Sequence, residues 1–371
     1  MPVPYSLVYN SKNCLPKSSL LHCLFFFITM ENKTITLKTK PGASLQVSIA
    51  HHQPRNEKLL SDTLVVFLNG LALPSAAWTE AIEHLFKLRS DSNQPTPALL
   101  CYDRYGQGKS DSDPSDVPDS PYGHDPRAVI ADLHQLLIQV SQDELNRQIE
   151  DLRIILVCNS IGCPLARLYA AEHPGRVAAY LFLDSMVANT DFVSVFPDPD
   201  EPGFDEGQLP EGVTAEGLLH ARDRVRKLFH PTVPNPERLD RRNMAELLPH
   251  ANKPALPNGP GGEPPLLTVV GHDWDVFADQ CEHVSLSEFR APGRPANNKS
   301  ATQGPLSVPK IIVNAYMNPA WGVYNEGLTL LVPAKRDVKI AKGCGHFIQK
   351  DDPAFVAGEV DKILNELKSR E

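Results

Sequence analysis

One serine stands at the junction of an apolar run and a helical pattern. The run Ile154–Cys158 indicates a strand buried on both faces. Helical periodicity starts directly after Ser160, with Leu165 and Leu168 on one face. A sharp turn between the two strains the serine backbone, and it lifts Oγ toward the N–H groups of the helix N-terminus. The pattern predicts a nucleophile at Ser160, and an ordinary turn or helix-capping serine is the alternative.

Such a serine needs a base, because its hydroxyl is nearly unreactive at neutral pH. His346 follows a predicted strand over Asp337–Ile340 and lies in the glycine-rich segment Gly343–Phe347. The other twelve histidines lack this setting. We expect His346 to take the Oγ proton and return it to the leaving group, and an ordinary loop histidine is the alternative.

The elements that must position these residues alternate between strand and helix. An opening hairpin is predicted over Thr34–Leu37 and Leu45–Ile49, and an amphipathic helix closes the chain at Ala354–Leu367. The other predicted strands are Leu64–Leu68, Leu99–Tyr102, Ala179–Leu183 and Leu266–Val270, and the helices are Trp78–Leu88 and Pro126–Val140. This alternation predicts a mostly parallel sheet.

At several of these positions the chain resembles the α/β-hydrolase family. The resemblance covers residues 60–190 and 306–367, and the order serine, aspartate, histidine is the order that this family uses. Its motifs are the loop Asp103–Ser110, the elbow at Ser160, the turn His173–Val177 and the Gly345-His346 pair. Two positions depart from the pattern: Cys158 replaces the first elbow glycine, and Asn69 stands where histidine is usual. The resemblance implies a central sheet with helices on both faces and a helical lid.

The resemblance also implies where the remaining catalytic groups lie. A minority of the family carries its acid where Asp184 ends a predicted strand, although many members keep a non-catalytic aspartate there. The end of the next strand is more usual, and there Asp273 is the main alternative. If that strand is instead Lys310–Val313, no acid follows it. The oxyanion hole is expected from the backbone N–H groups of Ile161 and Leu71.

Proline-rich segments interrupt the pattern after Asp184. Residues 190–261 are expected to form the lid, and residues 30–189 and 262–371 to form the hydrolase core. Residues 1–29 are interpreted as an extension upstream of a start at Met30, with a poor signal peptide as the alternative. Their apolar stretch is too short to span a bilayer, so no stable membrane insertion is expected.

Composition narrows the classes of partner. The net charge is −9 and no basic stripe stands out, which argues against nucleic acid and against anionic lipid. The seven cysteines show no zinc spacing and favour free thiols in a reducing, cytoplasmic compartment. The loop Asp103–Ser110 lacks the glycine spacing of a phosphate loop. We therefore expect a small-molecule substrate and no cofactor or metal, with the oligomeric state left open.

Three functions are compatible with these residues. The first is a serine hydrolase that cleaves a carboxylic ester, thioester, lactone or small amide of a small apolar substrate through an acyl-enzyme. The second is a lyase or cyclase on the same fold, and the third is a binding protein with a degenerate triad. A serine at the elbow argues against haloalkane dehalogenases and epoxide hydrolases, which carry aspartate there.

Overall fold

An eight-stranded sheet organises the computed structural model, which describes residues 29–51, 58–283 and 306–370. Its strand order is β1-β2-β4-β3-β5-β6-β7-β8. The strands are β1 (Glu31–Thr36), β2 (Ser44–Ala50), β3 (Thr63–Leu68), β4 (Ala98–Tyr102), β5 (Arg153–Ser160), β6 (Val177–Ser185), β7 (Leu266–His272) and β8 (Lys339–Ala341). Strand β2 pairs antiparallel with β1 and β4, and every other pair is parallel.

Helices connect these strands. The α-helices are α1 (Lys58–Ser61), α2 (Thr79–Asp91), α3 (Pro126–Asp143), α4 (Gly162–Glu172), α5 (Ala215–Leu228), α6 (Met244–Leu247), α7 (Trp274–His283), α8 (Lys310–Ile312), α9 (Asn318–Leu328), α10 (Ile348–Asp351) and α11 (Pro353–Ser369). Short 3₁₀ turns lie at Ser75–Trp78, Ile149–Asp151, Glu206–Gln208, Pro260–Gly262 and Thr329–Leu331, and a π-helical turn at Val313–Met317 joins α8 to α9.

The apolar strands are continuous because both faces of the sheet are covered. Leu156 and Cys158 of β5 face the core that α3, α4 and α9 close. Val157, which points the opposite way, faces the core that α2 and α11 close. Side chains alternate across a strand, so burial on both sides requires an unbroken apolar run. The predicted fold class is confirmed: a mostly parallel sheet with helices on both faces.

A long insertion separates β6 from β7. It spans residues 186–265 and carries α5 and α6, in the range where the sequence predicts a lid. Residues 306 and 307 pack against it, because His220 Nε2 lies 3.1 Å from the carbonyl of Ser307 and Arg224 Nε donates to that of Leu306. Hereafter residues 186–265 are called the insertion.

The structure confirms the predicted opening hairpin but not the alternative strand near residue 310. The opening hairpin is confirmed by β1 and β2. The alternative strand at Lys310–Val313 is wrong, since these residues begin the helix that continues into α9. Its β-branched residues favour a strand locally, yet Ile312 is buried against Gly217 of α5, and that tertiary packing outweighs the local preference. The interpretation of residues 1–29 falls almost entirely outside the described residues.

Two further features of the fold are the state of its cysteines and the length and character of its helices. The cysteines in the described part of the chain are all buried and unpaired: Cys101, Cys158, Cys163, Cys281 and Cys344. Among the described helices, none combines the length and the apolar character needed to cross a bilayer.

Candidate active site

Ser160 occupies a strained turn between β5 and α4. Its φ is 54°, a left-handed value that L-residues adopt only when the surrounding structure enforces it. At the start of the following helix, a Cβ built on Gly162 would lie 2.5 Å from the carbonyl oxygen of Leu68. Helix α4 can therefore begin directly beside β3 only with glycine there. The serine side chain lies at the carboxyl edge of the sheet.

The structure brings His346 to this serine. His346 lies in the loop between β8 and α10, where Gly343 takes a φ of 74°. Its Nε2 is 3.0 Å from Ser160 Oγ, and its Nδ1 is 2.5 Å from Oδ2 of Asp184. A carboxylate can only accept, so Nδ1 carries the proton and Nε2 is left to accept from the hydroxyl. This tautomer is the one that a general base needs.

Asp184 lies at the end of β6 and is completely buried. Burial alone raises the pKa of its carboxyl, but the neighbouring His272 and His346 outweigh it and lower that pKa to about 2. Its Oδ1 accepts from the His272 ring, 2.8 Å away, and Oδ2 faces His346. Asp184 is therefore an anion shared by two histidines.

Asp273, the alternative acid, lies outside this arrangement. Its two carboxylate oxygens accept from the backbone N–H groups of Gly343 and Asp275, at 3.1 and 3.2 Å. These bonds tie the start of α7 to the loop that carries His346, and the Gly343 N–H lowers the pKa of the carboxyl. The structure thus gives Asp273 a structural contact with that loop and places Asp184 against the imidazole.

The backbone after β3 adjoins Ser160. A Cβ built on Gly70 would lie 3.4 Å from Ser160 Cβ, so this segment passes directly beside the serine. Arg104 and Gln107 donate to the Gly70 carbonyl, each at 2.9 Å. In a trans peptide the following N–H points the opposite way, so the Leu71 N–H is directed away from Arg104. Ile161 follows Ser160 and caps α4.

A buried ion pair holds that segment in place from the insertion. Glu237 is 1% exposed, and its carboxylate accepts from Arg104 Nε and Nη2, each at 3.0 Å. The same carboxylate accepts from Gln107 and from the backbone N–H of Ala72. Ala72 has a φ of 54°, so its conformation depends on such support. Glu237 therefore links the insertion to the backbone beside Ser160.

Replacing Glu237 by glutamine is expected to destabilise the fold by about 3–5 kcal/mol, because it leaves the buried Arg104 charge uncompensated. One carboxylate oxygen becomes an NH₂ donor, which cannot satisfy the donors that surround it. The measurement is urea unfolding of Glu237→Gln beside wild type. Glu211→Gln, an exposed position in the same insertion, is the matched control. Equal free energies of unfolding for all three proteins would contradict the predicted role of the ion pair.

Aromatic side chains surround the imidazole. The ring of Trp321 lies 6.3 Å from that of His346, Phe277 lies at 6.4 Å and Phe347 at 4.9 Å. Phe192 of the insertion lies 6.0 Å from Trp321. Ser160 is 9% exposed, so little of the site faces solvent. The surroundings suit apolar groups better than charged ones.

One group among the described residues has metal-ligand spacing. It comprises Asp113, Asp116 and His124. Asp113 Oδ2 already accepts from the Lys40 ammonium at 2.5 Å, and Lys40 also binds Asp132 at 2.7 Å. One of the three candidate ligands is therefore already paired with an ammonium, and we assign no metal to this cluster.

Sequence reasoning missed two residues of this region. His272 is the last residue of β7, and the sequence indicated a role for no histidine other than His346. The predicted strand ended at Val270. The signal that could have drawn attention to His272 was its position directly before Asp273, the alternative acid. Glu237 carried no signal, because nothing in the pattern of the insertion indicates its partner Arg104.

Sequence comparisons relate the chain to a known family and to a curated protein. A sequence model of the alpha/beta hydrolase family matches residues 65–359. The probable lysophospholipase BODYGUARD 2 of Arabidopsis thaliana is 27% identical over 179 residues, which are 48% of this chain and 32% of that protein. The match thus spans about a third of that relative's length.

Solved structures give a similar fold. An epoxide hydrolase mutant of Vigna radiata superposes with a TM-score of 0.51 at 15% identity, covering 91% of this chain and 99% of that one. A thermophilic esterase from Thermogutta terrifontis has a TM-score of 0.48 at 15% identity, covering 91% and 98%. At this identity, the likeness to the epoxide hydrolase concerns the fold alone.

Proposed function

The chain belongs to the alpha/beta hydrolase family, and we propose that it is a serine hydrolase that cleaves a carboxylic ester through an acyl-enzyme. The observation that carries this proposal is one continuous contact: Ser160 Oγ to His346 Nε2 at 3.0 Å, and His346 Nδ1 to Asp184 Oδ2 at 2.5 Å. A nucleophile, its base and the group that orients the base are thereby within hydrogen-bond reach.

The first half of the proposed reaction forms the acyl-enzyme. Ser160 Oγ bonds to the ester carbonyl carbon while its proton passes to His346 Nε2. The carbonyl oxygen becomes an oxyanion, and we expect the backbone N–H groups of Ile161 and Leu71 to stabilise it. The carbon–oxygen bond to the alcohol then breaks, and the departing oxygen takes the proton from Nε2. Asp184 holds the tautomer and stabilises the transient imidazolium.

The second half releases the acid. Water gives a proton to His346 Nε2 and bonds to the acyl carbon. The bond from that carbon to Ser160 Oγ breaks, and Oγ recovers the proton. The free carboxylic acid leaves and the resting tautomer returns.

The apolar surroundings favour an apolar ester. Phe347 and Trp321 lie beside His346, and Phe192 of the insertion packs against Trp321. We assign residues 190–261 as a lid that shapes access, and the buried ion pair between Glu237 and Arg104 as its anchor. The name of the curated relative, a probable lysophospholipase, supports including a lysophospholipid among the esters tested.

A substrate panel tests the proposal. It comprises p-nitrophenyl acetate, octanoate and palmitate, lysophosphatidylcholine, and styrene oxide, with products identified by mass spectrometry. We expect acid and alcohol from at least one ester and no diol from the epoxide, because Ser160 and not a carboxylate stands at the elbow. Opening of the epoxide, or an ester product rearranged without release of acid, would contradict the proposed ester hydrolysis.

A further inference from the structure

Asp184 has a second histidine partner that the proposed reaction does not use. His272 ends β7 and is 2% exposed. Its Nδ1 lies 2.8 Å from Asp184 Oδ1, and its backbone N–H also reaches that oxygen, at 3.3 Å. The carboxylate is thus bound on one oxygen by His272 and on the other by His346, which fixes its plane and aims Oδ2 at the base.

The other ring nitrogen of His272 also faces an acceptor. Nε2 lies 2.9 Å from Oδ1 of Asn318. The orientation of that amide is set by its own Nδ2, which donates to the carbonyl of Trp274 at 3.0 Å and to Oδ1 of Asn314 at 2.6 Å. A neutral imidazole has one N–H and would leave a lone pair against one of these oxygens. Only the doubly protonated ring satisfies both contacts.

The ring environment agrees with a buried cation. The imidazole stacks on Phe277, with ring centroids 4.1 Å apart and planes 23° apart. Burial by itself lowers the pKa of His272, but Asp184 more than compensates, and the net pKa is raised above its ordinary range.

Several elements contribute titratable groups around the pair of Asp184 and His272. They are Asp184 from β6, His346 from the loop after β8, Asp273 next in the chain, and the thiols of Cys163 and Cys281 from α4 and α7. Burial raises the pKa of both thiols, so they are neutral near neutral pH. In the proposed reaction the resting His346 ring keeps Nε2 free to accept the Ser160 Oγ proton, so we assign the charge opposite Asp184 to His272.

We propose that His272 is a positioning residue: a buried imidazolium that keeps Asp184 ionised and oriented toward His346. This inference rests on the proposed serine hydrolase. If His272 is charged, its positive charge opposes protonation of His346, the proposed base that shares Asp184 with it. Removing that charge favours the protonated, inactive form of the triad.

The test measures how the rate of Ser160 labelling by a fluorophosphonate depends on pH, which needs no knowledge of the substrate. His272→Asn keeps a donor toward Asp184 Oδ1 but carries no charge. For this variant, we expect the acid limb of the labelling rate against pH to move to higher pH by about one unit, because the protonated form of the triad no longer meets a neighbouring positive charge. His283→Asn, an exposed position at the end of α7, is the matched control and should keep the wild-type profile.

A purely structural role would have a different signature. The labelling rate of His272→Asn would then fall at every pH, and the acid limb would stay in place, which would overturn the inference. Should His272→Asn fail to fold, Asn318→Leu serves instead. It removes the acceptor of Nε2 and should shift the limb in the same direction, and an unshifted limb in this variant would overturn the inference equally.

A second readout requires no labelling. In ¹⁵N-histidine NMR of the wild type, both ring nitrogens of His272 should show protonated shifts near neutral pH, with the signals assigned by their loss in His272→Asn or their shift in Asn318→Leu. One unprotonated nitrogen would overturn the inference. Absence of wild-type labelling would instead refute the proposed function, and the positioning role with it, whatever the NMR result for the charge.

Discussion

Replacing Ser160 by alanine is expected to lower kcat for ester hydrolysis by about 10⁶-fold. The substitution removes the only hydroxyl within hydrogen-bond distance of His346 Nε2 among the described residues. Alanine keeps the Cβ, so the backbone strain at a φ of 54° is unchanged and the fold should persist. Steady-state hydrolysis of the best ester from the panel, with circular dichroism to verify folding, measures the effect.

The control for this variant is Ser194→Ala, an exposed serine of the insertion. It should retain wild-type kcat. If Ser160→Ala kept more than about one hundredth of the wild-type kcat, covalent catalysis through this serine would be refuted, because variants that lose the nucleophile fall far lower.

Changing Asp184 to asparagine is expected to lower kcat by about 10⁴-fold. Two histidine rings donate to this carboxylate, those of His272 and His346. Asparagine offers one acceptor and one NH₂ donor, so one histidine must meet a donor. When that histidine is His346, its Nδ1 loses the proton and Nε2 gains it. The ring can then no longer accept from Ser160, which explains the large effect.

Asp273→Asn provides the comparison for the acid. Among the described residues, its carboxylate accepts from backbone N–H groups at the start of α7 and in the His346 loop, and it is not fully buried. We expect kcat to change by less than about twofold. Equal losses in the Asp184 and Asp273 variants would contradict the assignment of Asp184 as the acid.

The sharp turn at Ser160 between β5 and α4 was predictable because its signal is local. The run ending at Cys158, the small residues around Ser160 and the helical pattern after it lie within one short stretch. Parallel strands place their carboxyl ends along one edge, which is why a distant His346 could be paired with the serine before any coordinates.

The choice between acids was not predictable from the same reasoning. Asp184 and Asp273 both follow strands, and only the path of the loop after β8 decides which one faces Nδ1 of His346. His272 was missed because β7 continues two residues past the predicted end at Val270. Strand ends are the part of a fold that sequence patterns define least sharply.

The link between Glu237 and Arg104 illustrates a different limit. Its partners lie in the insertion and after β4, and no periodic pattern connects them. Such a contact depends on how the irregular segments of the insertion pack, and local propensity does not encode that packing. The helix at Lys310–Ile312, where the sequence allowed a strand, reflects the same dominance of tertiary contacts.

The site at which a fluorophosphonate attaches to the wild-type protein tests most directly whether Ser160 is an activated nucleophile. Intact-mass and peptide analysis should find one adduct, on Ser160, which is lost in Ser160→Ala and His346→Ala. No adduct at any fluorophosphonate size, or an adduct on another residue that persists in Ser160→Ala, would contradict the account. Testing small and large fluorophosphonates keeps restricted access through the lid from being mistaken for an unreactive serine.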